Sequence, residues 1–268
     1  MYKILFTDLD DTLLDDSGSI SKNSIAAVQK AIKAGCNVVI CSGRSNMSLE
    51  KFNNALGIKD YTIGYNGGII YKGDKVLICH YLEKQLVLDI IDYCRSYNVD
   101  IQLYQHDALW LDKETELTKA YCKRSVLTPN VVDDLKLHIT DKVNKVIILA
   151  KHEILKKLEA NMPKHISENC CTFFSHDHLF EFNPPNVTKG TAVTELTEHL
   201  GIPVSQTIAV GDNENDIPMI QAAGLGVAVK NAIQPALDCA DYITQGTNNE
   251  DAVAEIINEF ILTGGQQC

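Results

Sequence analysis

The sequence predicts an α/β protein: a doubly wound, mainly parallel sheet core interrupted by an inserted α+β domain. Three observations carry that prediction. Strand-like runs with uninterrupted apolar centres, at Ile4-Leu5-Phe6, Asn37 to Cys41 and Thr207 to Gly211, suit strands buried on both faces, as in a parallel sheet covered by helices. Between such runs lie segments with apolar residues at helical spacing, such as Ile25, Val28 and Ile32, and glycines at 35, 57 and 201 stop them. From Glu83 this alternation gives way to hairpins mixed with helices. It returns after Asn183-Pro184-Pro185-Asn186, where paired prolines continue neither a ladder nor a helix. The predicted domains are therefore 1–82 with 184–268 for the core, and 83–183 for the insert.

In chain order, the first run ends in Asp8, Asp10 and Asp11, followed by a polar, glycine-containing hairpin or flap at 15–19. Ser21 is read as the cap of a helix that Gly35 ends. The strand Asn37 to Cys41 stops at Ser42-Gly43-Arg44, and a helix then runs to Leu56. Tyr61 to Tyr65 reads as a third strand turning at Asn66-Gly67-Gly68, and 69–80 as a hairpin around Lys72-Gly73. The insert opens with a helix marked by Leu86, Ile90, Tyr93 and Tyr97, then a hairpin of 101–104 with 108–111. A helix over 115–124, an irregular stretch from Pro129 to Thr140, a strand over 143–150, a helix over 152–162 and a hairpin of 170–175 with 179–183 complete it. Lys189-Gly190 reopens the core with a helix to Leu200. After Thr207 to Gly211 come a helix from about Asp216, a strand over 225–229, Pro235 in a helical first turn, a short strand at Tyr242-Ile243 and a closing helix over 250–262.

Composition narrows the function. The chain carries 24 Lys+Arg against 35 Asp+Glu, a net charge of −11, which repels nucleic-acid phosphates and anionic membranes; no Lys/Arg run supplies a local exception. No nucleic-acid or membrane partner is expected. No apolar run reaches the ~18 residues that span a bilayer, and the first one is too brief for a signal-peptide core, so the expectation is a cytoplasmic protein. Nine cysteines, Cys268 among them, are scattered without a C-x-x-C pair and read as reduced thiols, several of them within the core.

The chemistry-bearing residues fall at predicted strand and helix ends, where open α/β sheets bind ligands. Asp8 and Asp10 stand two residues apart, and their mutual repulsion calls for a positive charge between them; an oxygen-liganded divalent cation such as Mg²⁺ is the simplest. Ser42, Lys189, Asp212, Asn215 and Asp216 lie at the ends of later strands and helices. Together they offer a nucleophile, a proton carrier, a hydroxyl donor, a fixed positive charge and further metal ligands, which phosphoryl transfer demands.

Asp8-Leu9-Asp10-Asp11-Thr12-Leu13, Cys41-Ser42-Gly43-Arg44, Lys189-Gly190 and Gly211-Asp212-Asn213-Glu214-Asn215-Asp216 resemble the four motifs of the haloacid dehalogenase-like superfamily. In position and size the insert is similar to the cap of its Cof-type phosphatases. The resemblance implies an Mg²⁺-dependent phosphatase for a small phosphorylated metabolite such as a sugar phosphate, nucleotide or phosphorylated vitamin. In it Asp8 is the nucleophile that becomes an aspartyl-phosphate, Asp10 the general acid and base, and Ser42 and Lys189 complete the catalytic set. Leu9, Ser42, Gly43, Lys189 and Asn215 would bind phosphate or substrate. Asp8, the Asp10 carbonyl and Asp212 would hold the metal, with Thr12, Arg44 and Asp216 in support. Thr12 and Arg44 also fit a helix cap and a partner for a surface acid, and Asn66-Gly67-Gly68 fits either a turn near substrate or a plain tight turn. A phosphotransferase or sugar-phosphate mutase on the same fold stays open, as does a non-catalytic phospho-accepting or phosphosugar-binding protein, although the latter needs neither Asp8 nor Asp10. Gly224-Leu225-Gly226 lacks the third glycine of a dinucleotide fingerprint, and His106, His176 and His178 at hairpin tips read as solvated.

Overall fold

The computed structural model describes residues 2–263, so Cys268 lies outside the described residues. The chain divides into two compact units: one takes in the chain up to Gly43, Leu49–Ile78 and the chain from Thr188 on, the other Arg44–Ser48 and Cys79–Val187.

In the first unit an eight-stranded sheet runs in the order Tyr242–Ile243, Leu225–Ala228, Thr207–Gly211, Ile4–Thr7, Asn37–Cys41, Tyr61–Gly64, Ile69–Lys72, Lys75–Cys79. The first six strands pair in parallel, and Ile69–Lys72 turns back antiparallel to Tyr61–Gly64. Its double winding follows from the period of two along each strand. Leu5, Val38, Ile40 and Val210 enter one apolar cluster with the helices Lys22–Lys33 and Asn46–Leu56. Their neighbours Ile4, Phe6, Val39 and Ala209 enter another, with Ala192, Val193 and Leu196 of the helix Lys189–Leu200. A run such as Ile4-Leu5-Phe6 is continuous because both faces are dry.

The second unit holds a six-stranded sheet, Cys171–His176, Leu179–Asn183, Val143–Leu149, Asp100–Gln105, Ala108–Leu111, Asn130–Val131. One face packs on helices: Ile101, Leu103, Val146, Ile148, Phe180 and Phe182 join residues of Lys84–Arg95 and His152–Ala160 in one apolar cluster. The residues alternating with these include a buried ion pair, Lys145 Nζ to Glu181 Oε2 at 2.9 Å.

Most predicted elements lie where the periodicity put them, and the departures have local causes. The strand read to Tyr65 stops at Gly64, because Tyr65 and Asn66 turn to φ 54° and 56° in a 3-10 turn. The stretch read as irregular from Pro129 contains the strand Asn130–Val131 and a helical turn Leu135–His138, for which Asp134 accepts from the Lys136 N–H. The closing helix is α-helical over Ala252–Ile256 and then widens to a π-turn over Ile257–Leu262. Among the described residues eight cysteines are free.

Candidate active site

The strand Ile4–Thr7 is flanked by Asn37–Cys41 on one side and Thr207–Gly211 on the other, so the chain leaves in one direction across the sheet and later returns on the other side. Such a reversal opens a crevice at the carboxyl ends of the strands. In-register pairing of Thr7 with Ile40 and Val210 brings the three strand ends to one level. Asp8, Ser42 and Asp212 follow those ends, and the Asp8 N–H still donates to the Val210 carbonyl at 2.9 Å.

Lys189 reaches the same rim from the first turn of its helix, which Thr188 caps by accepting from the Thr191 N–H. Its Nζ lies 2.5 Å from Asp8 Oδ1 and 2.5 Å from Asp216 Oδ1, with Lys189 1% and Asp216 0% exposed. The other oxygen of Asp216 accepts from the N–H groups of Asp212 and Asn213 at 3.1 and 3.0 Å. Asp216 therefore ties Lys189 to the loop that carries Asp212. Gly211 permits this fold-back, since a Cβ there would stand 2.4 Å from the Asp216 Cβ. Thr12 donates to Asp212 Oδ1 at 2.6 Å, joining the first and last motifs.

Ser42 is buried, its N–H donating to the Ile63 carbonyl and its carbonyl accepting from the Asn66 N–H, each at 3.0 Å. Asn215 Nδ2 donates to Asn66 Oδ1 at 3.0 Å. Gly43 lies against the same amide: a Cβ at 43 would meet Asn66 Oδ1 at 2.9 Å. Asn66, which the sequence left between a plain turn and a site residue, thus joins Ser42, Gly43 and Asn215. Its signal was the Asn-Gly-Gly string, because asparagine tolerates the left-handed backbone seen at φ 56°.

Two candidates stand apart. The Leu9 side chain is fully buried in an apolar cluster, and its carbonyl accepts from the Leu13 and Leu14 N–H groups. Arg44 belongs to the second unit. Asp10 is exposed, and its charge acts on Asp8.

The electrostatics are those of a site with too much negative charge. Burial first, and then Asp216, Asp212 and Asp10 against the opposing Lys189, hold the Asp8 carboxyl well above the usual range. Burial and Asp216 push Asp212 up to about 7. Lys189 is raised by Asp216 and Asp8, which overcome the opposing effect of its own burial. Asp8, Asp212 and Asp216 each offer an oxygen within 4.8 Å of the others. Hard oxygen donors with one ammonium among three carboxylates fit a hard divalent cation, whose charge would let the acids ionise.

The sequence model of the haloacid dehalogenase-like hydrolases matches residues 5–257. Phosphatase YwpJ of Bacillus subtilis is 28% identical over 97% of this chain and 100% of its own length. The 5-amino-6-(5-phospho-D-ribitylamino)uracil phosphatase YcsE of the same organism is 29% identical over 97% of this chain and 96% of its own. Among solved structures, TM0651 from Thermotoga maritima superposes with a TM-score of 0.84 at 31% identity, covering 96% of this chain and 97% of that one. A haloacid dehalogenase-like hydrolase from Bacteroides thetaiotaomicron gives 0.88 at 27% identity, covering 96% and 99%. With motif order, fold and full-length relatives in agreement, the chain belongs to the haloacid dehalogenase-like hydrolases, in their Cof-type phosphatase branch, and is a phosphoric monoester hydrolase.

Proposed function

We propose that the protein is an Mg²⁺-dependent phosphatase that hydrolyses a small organic phosphate monoester through an aspartyl-phosphate. The observation that carries this is the meeting of Asp8, Lys189, Asp212 and Asp216 at one strand-end rim, with Lys189 Nζ 2.5 Å from two carboxylates. An Asp8 oxygen attacks phosphorus as the bond to the leaving oxygen breaks, and protonated Asp10 gives its proton to the departing alkoxide. Water then attacks the phosphorus of the acyl phosphate, Asp10 takes one of its protons, and the bond to Asp8 breaks to release inorganic phosphate. Lys189 offsets charge growing on the transferred group, Ser42 donates to a phosphoryl oxygen, and Asn215 is assigned to phosphate or substrate. Asp216 orients Lys189, and Thr12 orients Asp212. Asp8, the Asp10 carbonyl and Asp212 would hold the Mg²⁺, which when bound neutralises negative charge on the nucleophile and the phosphate.

The substrate is proposed to be a sugar phosphate, nucleotide or phosphorylated vitamin, with the insert selecting the leaving group. Two relatives are named as phosphatases of a phosphorylated ribityl compound, which supports including a polyol phosphate in that range. The free cysteines suit a reducing cytoplasm. The test is release of inorganic phosphate from single substrates of these classes with Mg²⁺, with and without chelator, plus acid-stable trapping of phosphate on the protein. Turnover that ignores chelator and leaves no label at Asp8 would refute the scheme.

A further inference from the structure

Directly after the proposed acid and base, Asp11 sits at φ 56°, a left-handed backbone that a non-glycine residue adopts only when its surroundings hold it. The holding groups come from the far end of the sequence. Asn231 Nδ2 donates to the Asp11 carbonyl at 2.8 Å. The Oδ1 of Asn231 accepts from the Asn248 N–H at 2.9 Å, and Asn248 Nδ2 donates to the Leu14 carbonyl at 3.0 Å and to Asp16 Oδ1 at 3.2 Å. Asn249 Oδ1 accepts from the Asp16 N–H at 3.0 Å. Three asparagines thus hold the loop 11–16.

The same segment grips the loop that carries Asp212. The Val229 N–H donates to the Gly211 carbonyl at 3.1 Å, and the Ile233 N–H to the Asp212 carbonyl at 2.9 Å. The turn 229–233 therefore fixes two catalytic loops against each other, and Asn231 is the side chain through which it reaches the first.

We propose that Asn231, seconded by Asn248, is a positioning residue for Asp10: by holding the Asp11 carbonyl it keeps the loop left-handed and sets the direction in which the Asp10 carboxyl and carbonyl point. Asn231 is exposed, so its loss leaves the core packing intact. A small misplacement of a proton carrier acts on the chemical step more than on binding.

This rests on the reading of Asp10 as acid and base, and the experiment separates the two. Steady-state phosphatase kinetics are compared for the parent, Asn231→Ala, Asp11→Gly, Asn231→Ala with Asp11→Gly, and Asp10→Asn. Asn231→Ala is expected to lower kcat about tenfold with KM within about twofold. Glycine adopts positive φ without steric cost, so Asp11→Gly alone stays within about threefold of the parent, and adding it to Asn231→Ala restores most of the lost kcat. A kcat for Asn231→Ala within twofold of the parent, an effect confined to KM, or no recovery in the double variant would overturn the positioning role. If Asp10→Asn keeps the parent's kcat, the acid and base assignment itself falls; if Asp10→Asn loses it while Asn231→Ala does not, only the clamp falls.

Discussion

Lys189 and Lys145 are both buried, one in each unit, and their company differs. Lys145 meets one carboxylate, Glu181, at 2.9 Å, while the other Glu181 oxygen accepts from Ser175 at 2.7 Å. Lys189 meets two, and a third, Asp212, stands beside them. A buried ammonium paired with one carboxylate offsets part of the cost of its own desolvation. Three carboxylates around one ammonium are short of positive charge; burial first, and the neighbouring acids after it, hold Asp8 and Asp212 above the usual carboxylate range. A fold gains nothing by keeping such an imbalance; a site that must receive a cation and a phosphate does.

The largest break in the comparison is Asp8→Asn, which removes the proposed nucleophile. Phosphate release should fall at least ~10³-fold, while the melting temperature measured without divalent cation holds or rises because a buried carboxyl crowded by Asp212 and Asp216 is replaced by a neutral amide of the same shape. A melting temperature that drops with activity would mark Asp8 as structural. Next comes Lys189→Met, expected to cost ~10²-fold or more in kcat, since a preorganised cation no longer meets the charge that develops in transfer. Retained kcat with only a raised KM would reduce Lys189 to a binding group.

At the other lysine the order of effects reverses. Glu181→Gln should destabilise by ~3 kcal/mol in urea unfolding because Lys145 is left buried without its partner, whereas Lys145→Met with Glu181→Leu should be near neutral. A double variant as unstable as the single one would show that the pair, and not the stranded charge, matters.

The smallest effect sharpens the contrast through pH. Asp212 holds its proton up to about 7 in the folded chain, far above an unfolded carboxylate near 4. The folded state therefore binds more protons across that window, and cation-free stability should decline as pH rises from about 4 to about 7, then level off. Cation binding needs the ionised acids, so the rise in melting temperature on adding Mg²⁺ should be larger at pH 8 than at pH 6; a hundredfold excess over Kd corresponds to a stabilisation of about 2.7 kcal/mol. An equal rise at both pH values would detach the cation from Asp212.

Much of this was legible before any coordinates. Ile4-Leu5-Phe6 reads as a strand buried on both faces because nothing polar interrupts it, and Lys189 to Leu200 reads as a helix because Gly201 stops it in a left-handed turn. Asp8, Asp212 and Lys189 were visible as chemistry placed at element ends. Asn66 was visible only as a turn that fits either reading, and Asn231 not at all, since each acts through a backbone or amide partner far away in the chain: Asn66 through Ser42 and Asn215, Asn231 through Asp11. A single asparagine after a strand looks the same whether it turns the chain or ties two loops together.

The sequence by itself determined the alternation of buried strands and helices, the interruption by an insert, and the stock of acids, hydroxyl and ammonium that the proposed reaction draws on, because periodicity and element-end chemistry are local properties. Only the tertiary structure decided that Asp216 faces Lys189, that Thr12 faces Asp212, and that turn 229–233 holds the loops that follow Asp10 and carry Asp212. Those pairings depend on strand order, which sets Thr207–Gly211 beside Ile4–Thr7 and brings Thr12 to Asp212 at a sequence separation of 200, and no local pattern encodes it.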